Sequence, residues 1–174
     1  MRPSAPPTWP GARRIVVLGC AGAGKTTLAR RLGQALSAPV FVLDDLWVRL
    51  QPAGDTQAFR DHLRDLHRAE AWVSDGNFAA VSFDVRLMSA DVIIWLERPR
   101  WVCLWRAVTR VLRAGESHRP GDVLKVWRFI WGFDRNNRPK IEAERQAFGP
   151  DIPVLRVRGD RGIAGLLAAA RTAA

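Results

Sequence analysis

Three glycines, Gly19, Gly22 and Gly24, crowd into "VLGCAGAGKTTLAR" (residues 17–30), and Lys25, Thr26 and Thr27 follow directly. Glycine costs backbone entropy, so such a cluster implies that the main chain itself has a task. Gly19, Gly24, Lys25 and Thr26 fit the pattern G-x-x-x-x-G-K-[ST] without departure. In that pattern the main chain from Gly19 through Ala21, Gly22, Ala23 and Gly24 curls its N–H groups around a phosphate chain. The helix that follows adds the positive end of its dipole at Lys25, Thr26 and Thr27. Lys25 brings a mobile charge to the β- and γ-phosphates, and the Thr26 hydroxyl is placed to ligate Mg²⁺. A plain strand-to-helix turn needs neither the spacing nor the Lys-Thr pair, so the chemistry expected here is nucleoside-triphosphate binding.

Acidic side chains beside a triphosphate repel it unless a cation intervenes. "VLDD" presents Asp44 and Asp45, and "VSDGN" presents Asp75. Asp75 is the candidate to hold the metal, directly or through water. Asp44 is a candidate to accept a proton from an acceptor hydroxyl or to orient the acceptor. The plainer reading of the Asp44–Asp45 pair is a helix cap plus one solvated carboxylate. Because side chains alternate across a strand, one of the two at most faces the site.

In "RWVCLWRAVTRVLR" (100–113), Arg106, Arg110 and Arg113 recur at helical spacing opposite Trp101, Leu104, Trp105, Val108, Val111 and Leu112. Arginines on one ridge repel each other unless an anion lies against them, and the guanidinium fork suits a transferring phosphoryl group. The alternative is a solvated basic face. With the glycine-rich loop in the same chain, Arg106 and Arg110 are assigned as catalytic candidates beside Lys25 and Asp44. "RAGESHRPG" (113–121) reads as a short lid carrying Arg119, with His118 a surface residue. Trp127, Ile130 and Trp131 form an aromatic stripe read as core, with an acceptor wall or base-stacking face as alternatives. His62 and His67 read as the polar side of a helix.

The elements that must position these residues follow from periodicity. Buried strands are expected at 13–19, 39–45, 71–77, 90–99 and 152–157. Helices are expected at 25–36, 57–70, 161–173 and across 100–148, with an interruption at 114–121. Strands alternating with helices predict an α/β fold, a parallel sheet with helices on both faces.

The chain has 174 residues, enough for one domain with a sizeable core. Residues 1–12 are expected to be a proline-rich leader and 13–174 a single domain. No apolar run approaches the roughly 20 residues needed to span a bilayer, so no membrane association is expected. Two cysteines, Cys20 and Cys103, are too few for a disulfide framework and lack zinc spacing, which makes a reducing cytoplasm the default. The net charge of +10 admits two partners, a small polyanion or nucleic acid. Its arginines are dispersed through the helices, without a compact basic run, which favours the small ligand.

With these residues in place, the chain resembles the P-loop kinase superfamily near adenylate kinase. It is most similar there to the bacterial topology modulation proteins, or adenylate-kinase-like AAA family ATPases. The resemblance runs through "LGCAGAGKTTLARRL", "VFVLDDLW", "WVSDGNF", "ADVIIWLERPRWVCLWRAVTR" and "VWRFIWGF". It implies a three-layer P-loop NTPase fold with a five-stranded sheet of order 2-3-1-4-5. It also implies ATP and Mg²⁺ bound at Gly22, Gly24, Lys25, Thr26 and Thr27. Asp75 would stand where adenylate kinases carry the aspartate of Asp-Gly-Phe-Pro-Arg, here followed by Asn77, Phe78 and Ala79. Arg106 and Arg110 would match the arginines of the lid-proximal helix. The expected activity is phosphoryl transfer from Mg-ATP to a small-molecule acceptor, a nucleotide among the options, by a monomer or homodimer. The alternative is a nucleic-acid-associated ATPase or regulatory nucleotide binder.

Overall fold

Ile15, Val16, Val17 and Leu18 form a run without a polar residue, and none of the four is exposed to solvent. Such a run is stable only as the central strand of a sheet covered on both faces. In the computed structural model, which describes residues 11–50, 56–113 and 120–172, this is its place. The five strands are β1 (Arg14–Gly19), β2 (Val40–Val42), β3 (Trp72–Asp75), β4 (Val92–Glu97) and β5 (Val154–Arg158). All pair in parallel, in the order β2-β3-β1-β4-β5. The expected sheet and its order are therefore the observed ones. Residues 1–10 of the expected leader, and His118 and Arg119 of the expected lid, lie outside the described residues.

The helices among the described residues are α1 (Lys25–Leu36), α2 (Leu43–Leu50), α3 (Thr56–Leu66), α4 (Ala79–Arg86), α5 (Arg100–Arg113), α6 (Pro120–Asn136), α7 (Arg138–Phe148) and α8 (Gly159–Thr172). Strand alternation sends Ile15, Val17, Ile94 and Leu96 into a core shared with Leu28, Leu32, Leu166 and Leu167 of α1 and α8. Val16, Leu18, Ile93 and Trp95 point the other way, onto Phe83 of α4 and Ile141 of α7. A third cluster, Leu43, Leu46, Phe59 and Leu63, joins α2 to α3. Ile130 of α6 enters the first core and Phe133 the second, so this helix caps the sheet across both layers.

The structure corrects four local expectations. The second strand ends at Val42, and "LDDLWVRL" is a helix with Asp44 and Asp45 in its first turn. Leu43, Leu46 and Leu50 recur at helical spacing there, and the carboxylates complement the positive helix end. Trp101 and Trp105 are not part of a buried stripe: each is 70% exposed, and Cys103 and Ala107 face inward instead. Trp127 and Trp131 are exposed too, stacked on each other with centroids 5.7 Å apart, while Ile130 supplies the core contact. His67 is buried rather than polar-facing, because α3 stops at Leu66 and the chain turns the imidazole onto Phe41 and Trp72.

Candidate functional site

Parallel pairing sets Val17 beside Asp75 and Gly19 beside Leu96, so the carboxyl ends of β3, β1 and β4 open onto one place. The glycine-rich loop leaves β1 there. Gly24 adopts φ +96° and serves as the N-cap of α1 with no side-chain cap, which leaves the first-turn amides of α1 for a ligand. Gly22 has φ +77°, and a Cβ on it would lie 2.1 Å from the Cys103 carbonyl oxygen of α5. That contact explains why a small residue of α5 faces the loop. It also brings the helix close enough for its arginines to reach the loop.

Those arginines do face the loop. A cleft of 510 Å³ is lined by residues 21–27 together with Asp44, Arg98, Arg106, Arg110 and Asp160. Arg106 Nη1 would be 3.4 Å from a Cβ at Gly24. Asp44 and Asp45, about 100° apart around α2, separate: Asp44 lines this cleft and Asp45 a different one, with Arg49 and His62. Of the site residues expected from sequence, residues 21–27, Asp44, Arg106 and Arg110 line this cleft, Gly19 ends β1 just before the loop, and Asp75 meets Thr26. Lys25 Nζ donates to the Cys20 carbonyl at 3.2 Å, within the loop.

Asp75 is 2% exposed. Its Oδ2 accepts a hydrogen bond of 2.5 Å from Thr26 Oγ1, while its buried Oδ1 has no partner among the described residues. Burial pushes the carboxyl pKa up, and nearby Asp44 adds to this, against the Thr26 hydrogen bond and the charges of Lys25 and Arg86. A buried carboxylate with an unpartnered oxygen, next to a hydroxyl at a phosphate-type loop, fits a divalent cation. Mg²⁺ takes one or two protein oxygens and completes its octahedron with water and phosphate. Consistent with that division, no cluster of three or more acidic, His or Cys ligands occurs among the described residues.

Three residues that sequence reasoning gave no role brace this arrangement. Arg98 donates from Nε to the Ala23 carbonyl at 3.2 Å and pairs with Asp160 at the start of α8, tying the loop to that helix. Its signal was its place in "LERPR", just after β4. Asn77 grips both sides of one residue: Oδ1 accepts from Gly19 N–H at 3.1 Å and Nδ2 donates to Gly19 C=O at 2.9 Å. Arg86 of α4 is wholly buried, donating to the carbonyls of Gly76 at 2.8 Å and Ser74 at 3.0 Å. Burial lowers its pKa to about 9, opposed by Asp75, so it still carries its charge at neutral pH. It holds the main chain on either side of Asp75, and nothing in "AAVSFDVR" pointed to it.

Trp47 of α2 meets Phe59 of α3 edge-on at 5.0 Å, and Phe78 lies within 5.8 Å of both rings. Asp44 of the same helix α2 lines the cleft, so this ring cluster is tied to the site through one helix.

No family model matches the chain, and no curated protein is significantly similar to it. Its fold is similar to those of solved small P-loop kinases. Shikimate kinase from Acinetobacter baumannii, in complex with shikimate, aligns with a TM-score of 0.59 at 16% identity, over 92% of each chain. Shikimate kinase from Bacteroides thetaiotaomicron aligns at 0.54 and 19% identity, over 91% of this chain and 96% of that one. A gluconokinase from Sinorhizobium meliloti 1021 aligns at 0.54 and 18% identity, over 95% of this chain and 91% of that one. At these identities the likeness establishes the fold, a five-stranded parallel sheet of the P-loop kinase type covered by helices on both faces.

Proposed function

We propose that this chain is a Mg-ATP-dependent phosphotransferase that moves the γ-phosphate to a small-molecule acceptor. The observation that carries the reading is one cleft in which the glycine-rich loop, Arg106 and Arg110 converge, with the buried Asp75 hydrogen-bonded to the loop's Thr26. Kinases named for shikimate and for gluconate share the fold, which supports a small polar acceptor over a macromolecular one.

Phosphoryl transfer needs positioning and charge neutralisation more than covalent chemistry. The amides of residues 21–27 receive the phosphate chain. Lys25 exchanges its bond to the Cys20 carbonyl for the β- and γ-phosphates. Thr26 and Asp75 would hold Mg²⁺, which would supply charge neutralisation at the phosphates. Arg106 and Arg110 approach from α5 to stabilise the equatorial oxygens of the transferring group. Asp44 orients the acceptor hydroxyl and takes its proton. Arg98 and Asn77 keep the loop in register on the sheet, and Arg86 keeps Asp75 on target.

A second reading has one observation in its favour. Trp101, Trp105, Trp127 and Trp131 are all exposed on a chain of net charge +10, a composition suited to stacking nucleic-acid bases. Salt decides between the two, since backbone-phosphate binding weakens steeply with ionic strength. The direct experiment incubates the protein with Mg-ATP and a panel of nucleotides, sugar acids and hydroxylated carboxylates, and follows ADP and phosphorylated product. Acceptor-dependent ADP release supports phosphotransfer. ADP release stimulated only by single-stranded nucleic acid, and lost at high salt, would replace it with the second reading.

A further inference from the structure

We propose that the cleft at the carboxyl ends of β4 and β5 is a second ligand site, which takes a small phosphomonoester with an apolar body and lowers the affinity of the neighbouring loop for nucleotide. The effect on nucleotide rests on the site assignment above; the cleft and its ligand do not.

Strand register builds this site. β4 pairs with β5 so that Trp95 stands beside Arg156 and Glu97 beside Arg158. Alternate residues of a strand share a face, so these four side chains lie on one side of the sheet. Phe133 of α6 and Arg138, the first residue of α7, come over that side, with the Arg138 guanidinium 5.2 Å from the Trp95 ring centroid. The cleft among them has a volume of 540 Å³, and Cys20, Arg98, Asp134 and Arg158 also line it.

The charges here do not cancel. Glu97 pairs with Arg138 at 2.8 Å, Arg156 at 3.3 Å and Arg158 at 2.8 Å. Asp134 is shared between Arg100, at 3.0 Å, and Arg138, at 3.7 Å. Four guanidinium groups thus meet two carboxylates, which leaves two positive charges unmatched within the cluster. Arg98 is matched separately, by Asp160. An exposed sheet edge is often guarded by basic side chains. That accounts for the two arginines on β5, but not for Arg138 reaching from α7 to the same carboxylate. A doubly charged phosphate group restores the balance, and guanidinium forks bind phosphate through paired N–H donors. Trp95, Leu96, Pro99 and Phe133 supply an apolar lining beside the arginines, so the fitting ligand joins its phosphate to an apolar body.

This ligand is not placed to receive a phosphoryl group. Asp44, the proton acceptor proposed above, lines the nucleotide cleft and not this one. The two clefts share Arg98, which holds the Ala23 carbonyl of the loop. Cys20, whose carbonyl holds Lys25, lines the second cleft directly. A dianion bound there competes with Ala23 for Arg98 and repels the phosphate chain of a nucleotide. Both effects weaken nucleotide binding, and by linkage the nucleotide weakens the second ligand by the same factor.

The test is calorimetry on the intact protein at fixed ionic strength, with phenyl phosphate as probe and inorganic phosphate for comparison. We expect one phenyl phosphate per chain, bound about tenfold more tightly than inorganic phosphate because its ring is buried. The Arg158 side chain is 78% exposed, so Arg158→Gln should fold as wild type does. It should bind phenyl phosphate about tenfold more weakly, with its affinity for ATP alone unchanged. Arg64→Gln removes the same charge from α3, which contributes nothing to the cleft, and should leave both affinities unchanged. As phenyl phosphate is raised to saturation, ATP affinity with Mg²⁺ should fall about fivefold and then stay level. Absence of phenyl phosphate binding overturns the site. So does a fall in ATP affinity without limit, which places the probe on the loop itself, or an equal loss in Arg64→Gln and Arg158→Gln, which marks general attraction to a basic chain. Equal affinity for the two phosphates overturns the ligand class, and an ATP affinity unmoved at saturation overturns the coupling. If the protein binds no ATP, the functional assignment fails, and the second site then stands or falls on the Arg158→Gln comparison.

Discussion

At the loop end of the cleft, the chain presents main-chain amides from residues 21–27, contiguous in sequence, faced by arginines from one turn-spaced ridge of α5. Beyond it, side chains drawn from α2, α3 and the start of α4 pack into a wall of rings: Trp47, Phe59 and Phe78 over Leu43 and Leu63. Under the function proposed above, the first region takes an anionic phosphate chain, for which main-chain donors suffice. The second is built of side chains from separate elements, and Phe59, Leu43 and Leu63 among them are buried. Substitutions at the loop end should therefore damage chemistry with little effect on stability. Those in the wall should damage stability first.

The sharpest way to break this contrast is Lys25→Ala. We expect turnover to fall by about a thousandfold or more, because the charge acts where the transition state develops it, with the melting temperature unchanged. A variant that instead melts early would mean that the loop depends on Lys25 for its fold. Next in size is Phe59→Ala, which removes a buried ring from the wall and should cost roughly 3 kcal/mol or more in urea unfolding. Its ATP affinity, measured on the folded fraction, should stay within a few-fold of wild type. Arg110→Ala should lower kcat about a hundredfold while moving ATP affinity little, the mark of a contact made in the transition state. A change confined to KM would reassign Arg110 to ground-state binding.

The wall also carries a pH signature that the loop lacks. Burial, and then the charge of Arg86, lowers the His67 pKa from 6.5 to about 4. Nδ1 is hydrogen-bonded to the Leu63 carbonyl at 2.7 Å, and the buried Nε2 has no partner among the described residues to take a second proton. The unfolded chain protonates near the ordinary imidazole value, while the folded one does so only near 4. Stability from the neutral ring is thus present above 6.5 and lost as pH falls toward 4. By pH 5 the loss is on the order of 2 kcal/mol. His67→Gln, which keeps a donor for Leu63 and does not titrate, should flatten that decline relative to wild type in urea melts at pH 7 and pH 5. The smallest effect expected is for Asp75→Asn. It should raise the Mg²⁺ concentration needed for ATP binding about tenfold, without lowering thermal stability, since it removes a charge that burial disfavours.

Legibility followed the same division. The loop was readable because G-x-x-x-x-G-K-[ST] is local and its chemistry resides in the backbone. The wall was legible only in part: Phe59 and Leu63 fall at helical spacing within the expected helix 57–70, whereas the opening of "LDDLWVRL" reads as the end of a strand, and its Trp47 contacts arise only once α2 packs. The helix α5 shows the limit most directly. Its spacing set arginines and tryptophans on different faces, but the expected apolar stripe is not the buried one. Cys103 and Ala107 turn inward, the Cys103 main chain lies against Gly22, and Trp101 and Trp105 face solvent. The burial of Arg86 had no local signal at all. It depends on two carbonyls near the end of β3 that need a donor.

The sequence by itself determined the parallel sheet, its strand order through the family resemblance, and the phosphate-type loop with Lys25 and Thr26, because hydrophobic runs and glycine spacing act over a few residues. The tertiary structure alone decided that Asp75 meets Thr26, that Asp44 and not Asp45 lines the cleft, and that Asn77 and Arg98 fasten the loop. These are contacts between chain segments brought together by strand register and close backbone approach, and no local pattern encodes such distances.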